Sequence, residues 1–309
     1  MNQNIPRISV GLPVFNGENY LEEALSSILV QTYQDFEIII SDNASTDKTA
    51  EICRAYADKD SRIRYFRNKE NRGGADNFNR VFELASGEYF KWAAHDDLCA
   101  PEFLEQCIEV LDREANVVLC YPRTILINEH GEFQGYYADG LELRSPKPHE
   151  RFRHFFDTQG VCHAIYGVMR SSALRLTRLE GYFSMADRVL LGELVLHGEF
   201  RELPAYLFYR RIHPLISTAS MSDRELAGWY DLRKKGKIVL PKWRRLVEYF
   251  RSINRAPLSW SQRLRCCLEI VRFALYPRRW AGLGEDLFGA LTMTLSKLLA
   301  QGRGPTKSG

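Results

Sequence analysis

The sequence has no apolar run long enough to cross a bilayer. A membrane-spanning helix needs about 20 mostly apolar residues, whereas the best candidate, LFGALTMTLSKLLA at residues 287–300, is shorter and contains Lys297. The N-terminus also lacks the basic, apolar and small-residue succession of a secretory signal peptide. These absences predict a protein that contacts a membrane only by lying on its surface.

Cysteine patterns that bind metals or form disulfide frameworks are missing as well. The seven cysteines include no C-x-x-C pair and no zinc-like grouping. Internal repeats and low-complexity segments are also absent. The cysteine usage therefore predicts a reducing, cytoplasmic setting.

Acidic residues are scarce in the last part of the chain. Residues 225–309 hold 17 Lys and Arg against 6 Asp and Glu, whereas residues 1–224 hold 25 against 33. Such an excess of positive charge suits an anionic partner, and membrane phospholipid, a phosphorylated acceptor and nucleic acid all meet that description. A solvated basic surface explains the same excess, so both interpretations stay open.

Apolar and amphipathic segments alternate over the first part of the chain. The segments RISVGLPVF, FEIIIS, IRYFRN and EYFKWAA have the β-branched and aromatic composition of strands. Between and after them, NYLEEALSSILVQT, KTAEICRAYADKD, NFNRVFELASG and PEFLEQCIEVLDRE carry apolar residues at helical spacing. Strands and helices in this alternation predict an α/β fold with a mostly parallel sheet and helices on both faces.

The second half of the chain is less regular. Further strands are predicted at VVLCYPRTILI, IYGVMR and FRELPAYLFYRRIHP, a helix at ADRVLLGELVLHG, a turn at GYYADG (135–140) and a mobile connection at 141–160. From Asp223 onward, Trp, Tyr and Phe among Arg and Lys indicate amphipathic helices. We therefore divide the chain into a domain at 1–222 and a basic helical extension at 223–309, which either lies in a headgroup layer or packs on the main domain.

Polar clusters follow three of the predicted strands. They are PVFNGE up to Glu18, DNASTD from Asp42, and His95–Asp97. In open sheets of this kind ligands bind beyond the carboxyl ends of the strands, so the three clusters are expected at one edge. Each cluster also has a plain structural explanation, because Asp, Asn and Ser cap helices and form turns. Adjacent acids such as Asp96 and Asp97 suit Mg²⁺ or Mn²⁺ that also holds a substrate's phosphates.

Three stretches together resemble the glycosyltransferases of family 2, which have the GT-A fold. They are SVGLPVFNGENYLEEALSSILVQTYQDFEIIISDNASTDKT, NRGGADNFNRVFELASGEYFKWAAHDD and ADRVLLGELVLHG, and the resemblance extends over roughly residues 7–215. It implies an enzyme of the hexosyltransferase type with a GT-A, Rossmann-like catalytic domain. Its donor is a nucleotide-diphospho-sugar, its acceptor a carbohydrate or lipid-linked hydroxyl compound, and its cofactor a divalent Mn²⁺ or Mg²⁺ ion.

The resemblance also implies roles for individual residues. Asp187 matches the catalytic base, and Asp97, with Asp96 beside it near the ribose, matches the metal ligand. His163 lies where relatives shape the acceptor site. Donor binding falls to Pro13, Phe15, Asn16, Glu18, Asp42, Asn43, Asn71, Gly73, Asn79, Asp96, Arg210, Arg211 and His213.

The mechanism implied is an inverting displacement that builds a polysaccharide or glycoconjugate, in the cytoplasm or on the inner membrane surface. A catalytically silent protein of the same fold is one alternative, because Asn43, His95 and Ala186 stand where relatives commonly carry acids. A sugar nucleotidyltransferase is another, although GLPVFNGENY lacks the Gly-rich basic loop of that class. Nucleic acid binding is not expected, because the acidic first two thirds oppose it.

Overall fold

The computed structural model describes residues 5–158, 160, 162–214, 223–232, 240–276, 280, 282–289 and 291–292. The strands are β1 (Ile8–Val14), β2 (Phe36–Asp42), β3 (Ile63–Arg67), β4 (Tyr89–Trp92), β5 (Leu98–Cys99), β6 (Val117–Ile127), β7 (Phe133–Tyr137), β8 (Val168–Arg170) and β9 (Glu199–Arg211). The helices are α1 (Leu21–Leu29), α2 (Thr49–Lys59), α3 (Gly74–Glu83), α4 (Phe103–Arg113), α5 (Pro148–Asp157), α6 (Ser171–Leu174), α7 (Ala186–Leu194), α8 (Asp223–Tyr230), α9 (Pro241–Arg255) and α10 (Trp260–Ala274), with a 3-10 helix at His163–Tyr166.

The strands form one sheet in the order β3-β2-β1-β4-β8-β6-β9-β5, with β7 beside β6. Its first four strands are parallel, and Val10 of β1 lies opposite Ile38 of β2 and Lys91 of β4. Beyond them, β6 and β9 are parallel, whereas β5, β7 and β8 pair antiparallel with their neighbours. The predicted α/β fold with a mostly parallel, Rossmann-like sheet is confirmed.

Both faces of the sheet are covered. Successive side chains of a strand point to opposite faces, and in β2 Ile38 and Ile40 belong to one apolar core while Ile39 belongs to the other. Helices α1, α2 and α4 cover the first face, and α3 and α5 to α10 contribute to the second. This sandwich explains why the middle of β2 is a continuous apolar run, since every residue of β1 and of β2 is buried.

The prediction of an irregular, mobile connection at 141–160 is wrong for residues 148–157 and holds as to irregular backbone for residues 141–147. Residues 148–157 form α5, which buries Phe152, Phe155 and Phe156. Phe156 packs edge-to-face on Tyr249 with ring centroids 4.9 Å apart and lies 4.3 Å from the ring of Phe273. The Pro, His and Arg residues of this segment suggested a loop, whereas the helical spacing of its three phenylalanines decides the structure. The turn predicted at 135–140 is also partly wrong, because β7 extends to residue 137.

The described part of the extension packs on the sheet domain. Tyr249 of α9 and Ile270 of α10 belong to the same core as the helices on the second face. Arg255 of α9 donates two hydrogen bonds of 2.6 and 2.9 Å to Glu193 of α7. The carboxylate of Glu248, fully buried, pairs with three arginines, Arg178, Arg244 and Arg251. The boundary at 222/223 stays a prediction, and residues 233–239 of the predicted helix lie outside the described residues.

A search of the described residues for a helix both long and apolar enough to span a membrane finds none.

Candidate active site

A cleft of about 410 Å³ opens beyond the carboxyl ends of the strands. The ends of β1, β2, β4 and β9 form one side of it, and the 3-10 helix, the N-terminus of α7 and the C-terminus of α8 form the other. Eight of the residues assigned to the site from the sequence line this cleft: Pro13, Phe15, Asn16, Asn43, Asp96, Asp187, Arg210 and His213, and Asn71 and His95 line it too. The three polar clusters therefore meet at one edge of the sheet, as predicted.

The turn after β1 is fixed by hydrogen bonds to the loop after β2. Asn16 adopts a left-handed φ of 52°, its N–H donates to Ser45 Oγ (2.9 Å) and its side-chain oxygen accepts the N–H of Thr46 (2.9 Å). The same turn brings Gly17 so close to His95 that a Cβ at residue 17 would lie 2.7 Å from the imidazole. The neighbouring Phe15 side chain is left partly exposed at the cleft.

The end of β2 supports the cleft from behind. Asp42 is fully buried and accepts hydrogen bonds from the N–H of Ser45 (2.8 Å), the Tyr65 hydroxyl (2.9 Å) and Arg67 (3.1 Å). Its oxygens are therefore engaged within the protein. The next residue, Asn43, donates to Asn71 Oδ1 (2.9 Å) and lines the cleft.

Arg210, the backbone of Arg211 and His213 hold the acid pair after β4. Arg210 Nη1 lies 2.6 Å from Asp97 Oδ2, and the backbone N–H of Arg211 donates to Asp97 Oδ1 (3.0 Å). His213 Nε2 lies 3.0 Å from Asp96 Oδ2. The other ring nitrogen of His213 is buried and has no hydrogen-bond partner among the described residues. It is therefore available to a ligand in the cleft.

The pKa values of the two acids differ because their surroundings differ. Burial by itself would raise the pKa of Asp96, but the His213 hydrogen bond and the charges of His95 and Arg210 outweigh it and hold the pKa low. Asp97 is more deeply enclosed, and burial raises its pKa to about 6 although Arg210 opposes the shift. Burial likewise lowers the pKa of His95, which favours the neutral imidazole.

The ligand set for a divalent cation is not presented in this arrangement. Mg²⁺ and Mn²⁺ prefer several free oxygen ligands, yet both oxygens of Asp97 and one oxygen of Asp96 already accept hydrogen bonds from the protein. Among the described residues no group of three or more His, Cys, Asp or Glu is placed to hold a metal. A cation at Asp97 would first have to displace Arg210.

Arg210 and Arg211 point to opposite sides of β9, as successive strand residues do. Arg210 lines the cleft, whereas Arg211 is buried. The guanidinium of Arg211 donates to the carbonyls of Asp96 (3.0 Å) and Glu129 (3.1 Å) and to the carboxylate of Glu23 (2.6 Å). Arg211 therefore holds the loops around the cleft together.

Asp187 lies in the first turn of α7 and lines the cleft. Its Oδ1 accepts the N–H of Arg188 (2.7 Å). Burial raises the pKa of Asp187, and the charges of Arg188 and Arg245 oppose this. A buried carboxylate with a raised pKa, placed where a ligand can reach it, is suited to accept a proton.

A second carboxyl group, Glu180, lines the cleft beside Asp187. Burial and the negative charge of Asp187 raise the pKa of Glu180 well above its usual value. A hydrogen bond from the backbone N–H of Asp187 opposes this rise. Tyr166 also lines the cleft. Burial raises the pKa of its hydroxyl, and the charges of Asp97 and Asp187 raise this pKa further, so the hydroxyl lies within reach of both acids.

Trp229 and Tyr230 at the end of α8 line the cleft, together with Leu232 just after the helix. Two glycines permit its close approach. A Cβ at Gly74 would overlap the Trp229 ring, and Gly73, with a φ of 88°, faces the backbone of Tyr230, whose oxygen would lie 3.0 Å from an added Cβ.

The remaining residues assigned from the sequence lie next to the cleft but do not line it. They serve as supports. Glu18 accepts the N–H of Lys48 at the start of α2 (2.9 Å), and Asn79 pairs with the backbone of Glu180. His163 lies 3.0 Å from Thr124 Oγ1, and burial lowers its pKa to about 3. The others in this group are Asp42, Gly73, Asp97 and Arg211.

Sequence reasoning missed Asn77, Tyr166, Glu180, Trp229 and Tyr230, which all line the cleft. Asn77 ties the first two strands together, because its amide donates to the carbonyl of Ser41 (2.8 Å). Glu180 could have been proposed from the sequence, because it lies only seven residues before Asp187. The aromatic pair of α8 suggested a membrane face instead.

Comparison with known proteins identifies the family. The family model described as "Glycosyl transferase family 2" matches residues 9–176, more than half of the 309 residues. The chain belongs to glycosyl transferase family 2. A glycosyltransferase of Haemophilus influenzae is 27% identical over 216 residues, which is 68% of this chain and 67% of that protein. One of Rickettsia typhi is 42% identical over 125 residues, 39% of this chain. The matches span 38%, 22% and 18% of the R. typhi, R. felis and R. bellii relatives.

Solved structures share the fold of this chain. S. aureus TarS (residues 1–349) in complex with UDP-GlcNAc aligns with a TM-score of 0.65 at 15% identity, over 92% of this chain and 80% of TarS. The mannosyltransferase PcManGT of Pyrobaculum calidifontis, in complex with GDP-Man and Mn²⁺, aligns with a TM-score of 0.51 at 16% identity, over 95% of this chain and 88% of that one. The GT-A fold inferred from sequence is thereby confirmed.

Proposed function

We propose that this family 2 glycosyltransferase inverts the sugar that it transfers from a nucleoside-diphosphate donor to an acceptor hydroxyl. One observation carries the proposal: one cleft at the carboxyl edge of the sheet is lined both by Arg210 and His213 and by Asp187, a carboxylate of raised pKa. The donor sugar is proposed to be a hexose, because solved relatives of the same fold are complexes with UDP-GlcNAc and GDP-Man.

The reaction is a direct displacement at the anomeric carbon. The acceptor oxygen attacks this carbon as the bond to the diphosphate oxygen breaks, and the nucleoside diphosphate leaves with the electron pair. The acceptor's proton passes to the carboxylate of Asp187. Attack from the face opposite the leaving group inverts the configuration.

At the donor end, Arg210 and His213 bind the diphosphate in this proposal. Arg210 carries a permanent positive charge in the cleft, and His213 has a buried ring nitrogen without a hydrogen-bond partner in the described part of the chain. Fixed positive groups that face the charge developing on a leaving diphosphate stabilise the transition state. The divalent ion predicted from the sequence stays a prediction, because Arg210 occupies the carboxylate that would bind it.

Donor binding is therefore expected to survive the removal of divalent ions. Titration of UDP-, dTDP- and GDP-hexoses by calorimetry, each with Mn²⁺ and with EDTA, should give one preferred donor whose dissociation constant changes less than about 10-fold with EDTA. Loss of all binding in EDTA would show that Arg210 gives way to a metal. No binding of any donor under either condition would contradict the proposed function.

Turnover separates this proposal from the alternatives. A catalytically silent protein of the same fold would bind the donor without releasing nucleoside diphosphate. A sugar nucleotidyltransferase would instead release pyrophosphate from a nucleoside triphosphate and a sugar phosphate. Detection of the released nucleotide by chromatography distinguishes the three activities.

We propose in addition that the protein works at the surface of an anionic membrane, with α10 as the contact face. Trp260, Leu264, Leu268, Val271 and Leu275 form one stripe on this helix and are 45–78% exposed. Exposed apolar side chains at helical spacing suit the boundary between headgroups and acyl chains. The positive charge of the extension suits anionic lipid.

Replacing Leu264 and Leu268 together with Gln is expected to weaken membrane binding at least about 10-fold, because each leucine loses its apolar transfer energy. Co-sedimentation with phosphatidylglycerol vesicles and with neutral phosphatidylcholine vesicles measures it. Val30→Gln, an equally exposed apolar position on another face, is the matched control and should change nothing. If the double variant binds vesicles normally but loses self-association in ultracentrifugation, the stripe is a dimer interface and the membrane proposal is wrong.

A further inference from the structure

The cleft contains a second carboxyl group that the displacement does not use. Glu180 is only 5% exposed, yet it lines the cleft together with Asp187. A carboxyl group is expensive to bury, so its position at a ligand-facing wall calls for an explanation.

The backbone holds both carboxyl groups in place. Asn79 makes a reciprocal pair with residue 180, donating to its carbonyl (3.0 Å) and accepting its N–H (2.8 Å). Leu179, directly before Glu180, has a φ of 60°, and Met185, two residues before Asp187, has a φ of 62°. Left-handed backbone at non-glycine residues is strained, and such strain clusters at functional sites.

An aromatic wall lies beside the two acids. Trp229 and Tyr230 line the same cleft, with ring centroids 5.0 Å apart and planes at 89°. The charges of Asp187 and Glu180 both act on the Tyr230 hydroxyl, so this side chain lies near the pair. An aromatic face next to hydrogen-bonding groups suits a sugar ring, which has apolar C–H faces and a polar rim.

We propose that Glu180, Trp229 and Tyr230 form the binding subsite for an acceptor sugar, in which Glu180 holds the hydroxyl next to the one that Asp187 deprotonates. This inference rests on the proposed function and deepens it. The acceptor is then a glycoside with two neighbouring free hydroxyls, stacked on Trp229, and not a simple alcohol or a phosphate ester. Glu180 binds the acceptor and does not take the proton.

The electrostatics assign different protonation states to the two acids. Asp187 accepts the N–H of Arg188 and has Arg188 and Arg245 nearby, which favour its ionised form. Glu180 faces the negative charge of Asp187 and is more deeply buried, so its carboxyl group keeps its proton to a higher pH. Environments that separate two neighbouring carboxyl groups in this way assign one as base and the other as hydrogen-bond donor.

The test compares Glu180→Gln, Glu180→Ala and Asp187→Asn, with a glycoside acceptor and the same glycoside lacking the neighbouring hydroxyl. Since an amide also donates a hydrogen bond, Glu180→Gln should keep kcat/KM for the full acceptor within about 10-fold, whereas Asp187→Asn should abolish turnover. Glu180→Ala should raise the acceptor KM at least about 10-fold. It should also lose most of the wild type's preference for the full over the deoxy acceptor. Trp229→Leu should raise the acceptor KM without changing donor affinity.

Two results would overturn the subsite. One is a Glu180→Gln variant as inactive as Asp187→Asn, which would make Glu180 the base. The other is a Glu180→Ala variant with unchanged acceptor KM and unchanged preference. Donor dissociation constants and melting temperatures are measured for every variant. If the wild type binds no donor, the proposed function itself fails. If it binds and turns over donor while the Glu180 variants behave as wild type, only the subsite fails.

Discussion

Replacing Asp187 with Asn is expected to lower kcat by roughly 10²–10⁴-fold, the usual contribution of a general base, while the donor dissociation constant stays within about 3-fold. Asn has the same shape but cannot accept the acceptor's proton. The separation follows from the proposed roles, because Arg210 and His213 bind the diphosphate whereas Asp187 acts on the acceptor. Steady-state release of nucleoside diphosphate and calorimetric titration of donor measure the two quantities.

Asp58→Asn, on the exposed surface of α2, is the control and should leave both quantities unchanged. An Asp187→Asn variant with normal kcat would show that another group accepts the proton. Loss of donor binding in the same variant would show that Asp187 contributes to donor binding, contrary to its proposed role.

The pH dependence of kcat offers a further check on Asp187 in the wild type. A base works only when ionised, so kcat should fall as the pH drops through the pKa of Asp187. Because burial raises this pKa, the fall should occur at a higher pH than for an exposed aspartate. The groups that face Asp187 are Glu180, Arg188, Arg245, Tyr166, Tyr230, Tyr249 and Cys162.

Arg210 and Arg211 are expected to give opposite results when each is replaced by Met. Arg211→Met removes a buried guanidinium from three acceptors, of which only the exposed Glu23 is charged, and should destabilise the fold by about 1–3 kcal/mol, with donor affinity of the folded protein within about 3-fold. Arg210→Met removes the positive charge from the cleft and should weaken donor binding at least about 10-fold. Urea unfolding and donor titration distinguish the two effects.

Arg210→Met also leaves the buried Asp97 without its ion pair, which by itself costs stability. Combining it with Asp97→Asn removes both charges and corrects for this. The double variant should regain stability relative to Arg210→Met but not regain donor binding. Equal effects of Arg210→Met and Arg211→Met on donor affinity would contradict the assignment of Arg210 to donor binding and of Arg211 to a structural role.

The sheet and the edge that carries the site follow from local patterns. Runs such as FEIIIS can only be strands buried on both faces, and parallel strands place Asn16, Asn43 and Asp96 at the same edge. The sequence motifs also indicated Asp187, although a helix's first turn often holds an aspartate for structural reasons alone. The resemblance to a known family gave this residue its role.

Features that depend on tertiary partners could not be predicted. Arg210 and Arg211 look equivalent in the sequence, and only the alternation of β9 together with the bonds to Glu23, Asp96 and Glu129 separates the cleft residue from the structural one. Likewise, nothing local shows that Arg210 would neutralise Asp97.

Helix α8 illustrates the same limit over a longer distance. Trp229 and Tyr230 lie among basic residues that resemble an interfacial helix, and their place in the cleft depends on the close approach that Gly73 and Gly74 permit. Glu180 depends on its pairing with Asn79, which lies 101 positions away in the chain. Such contacts are set by packing, which composition and spacing do not encode.

The most direct test of direct displacement is the anomeric configuration of the first product, measured by proton NMR during turnover of the preferred donor. The mechanism at Asp187 predicts that the new glycosidic bond has the configuration opposite to that of the donor from the earliest time point. A product that retains the donor's configuration would contradict it.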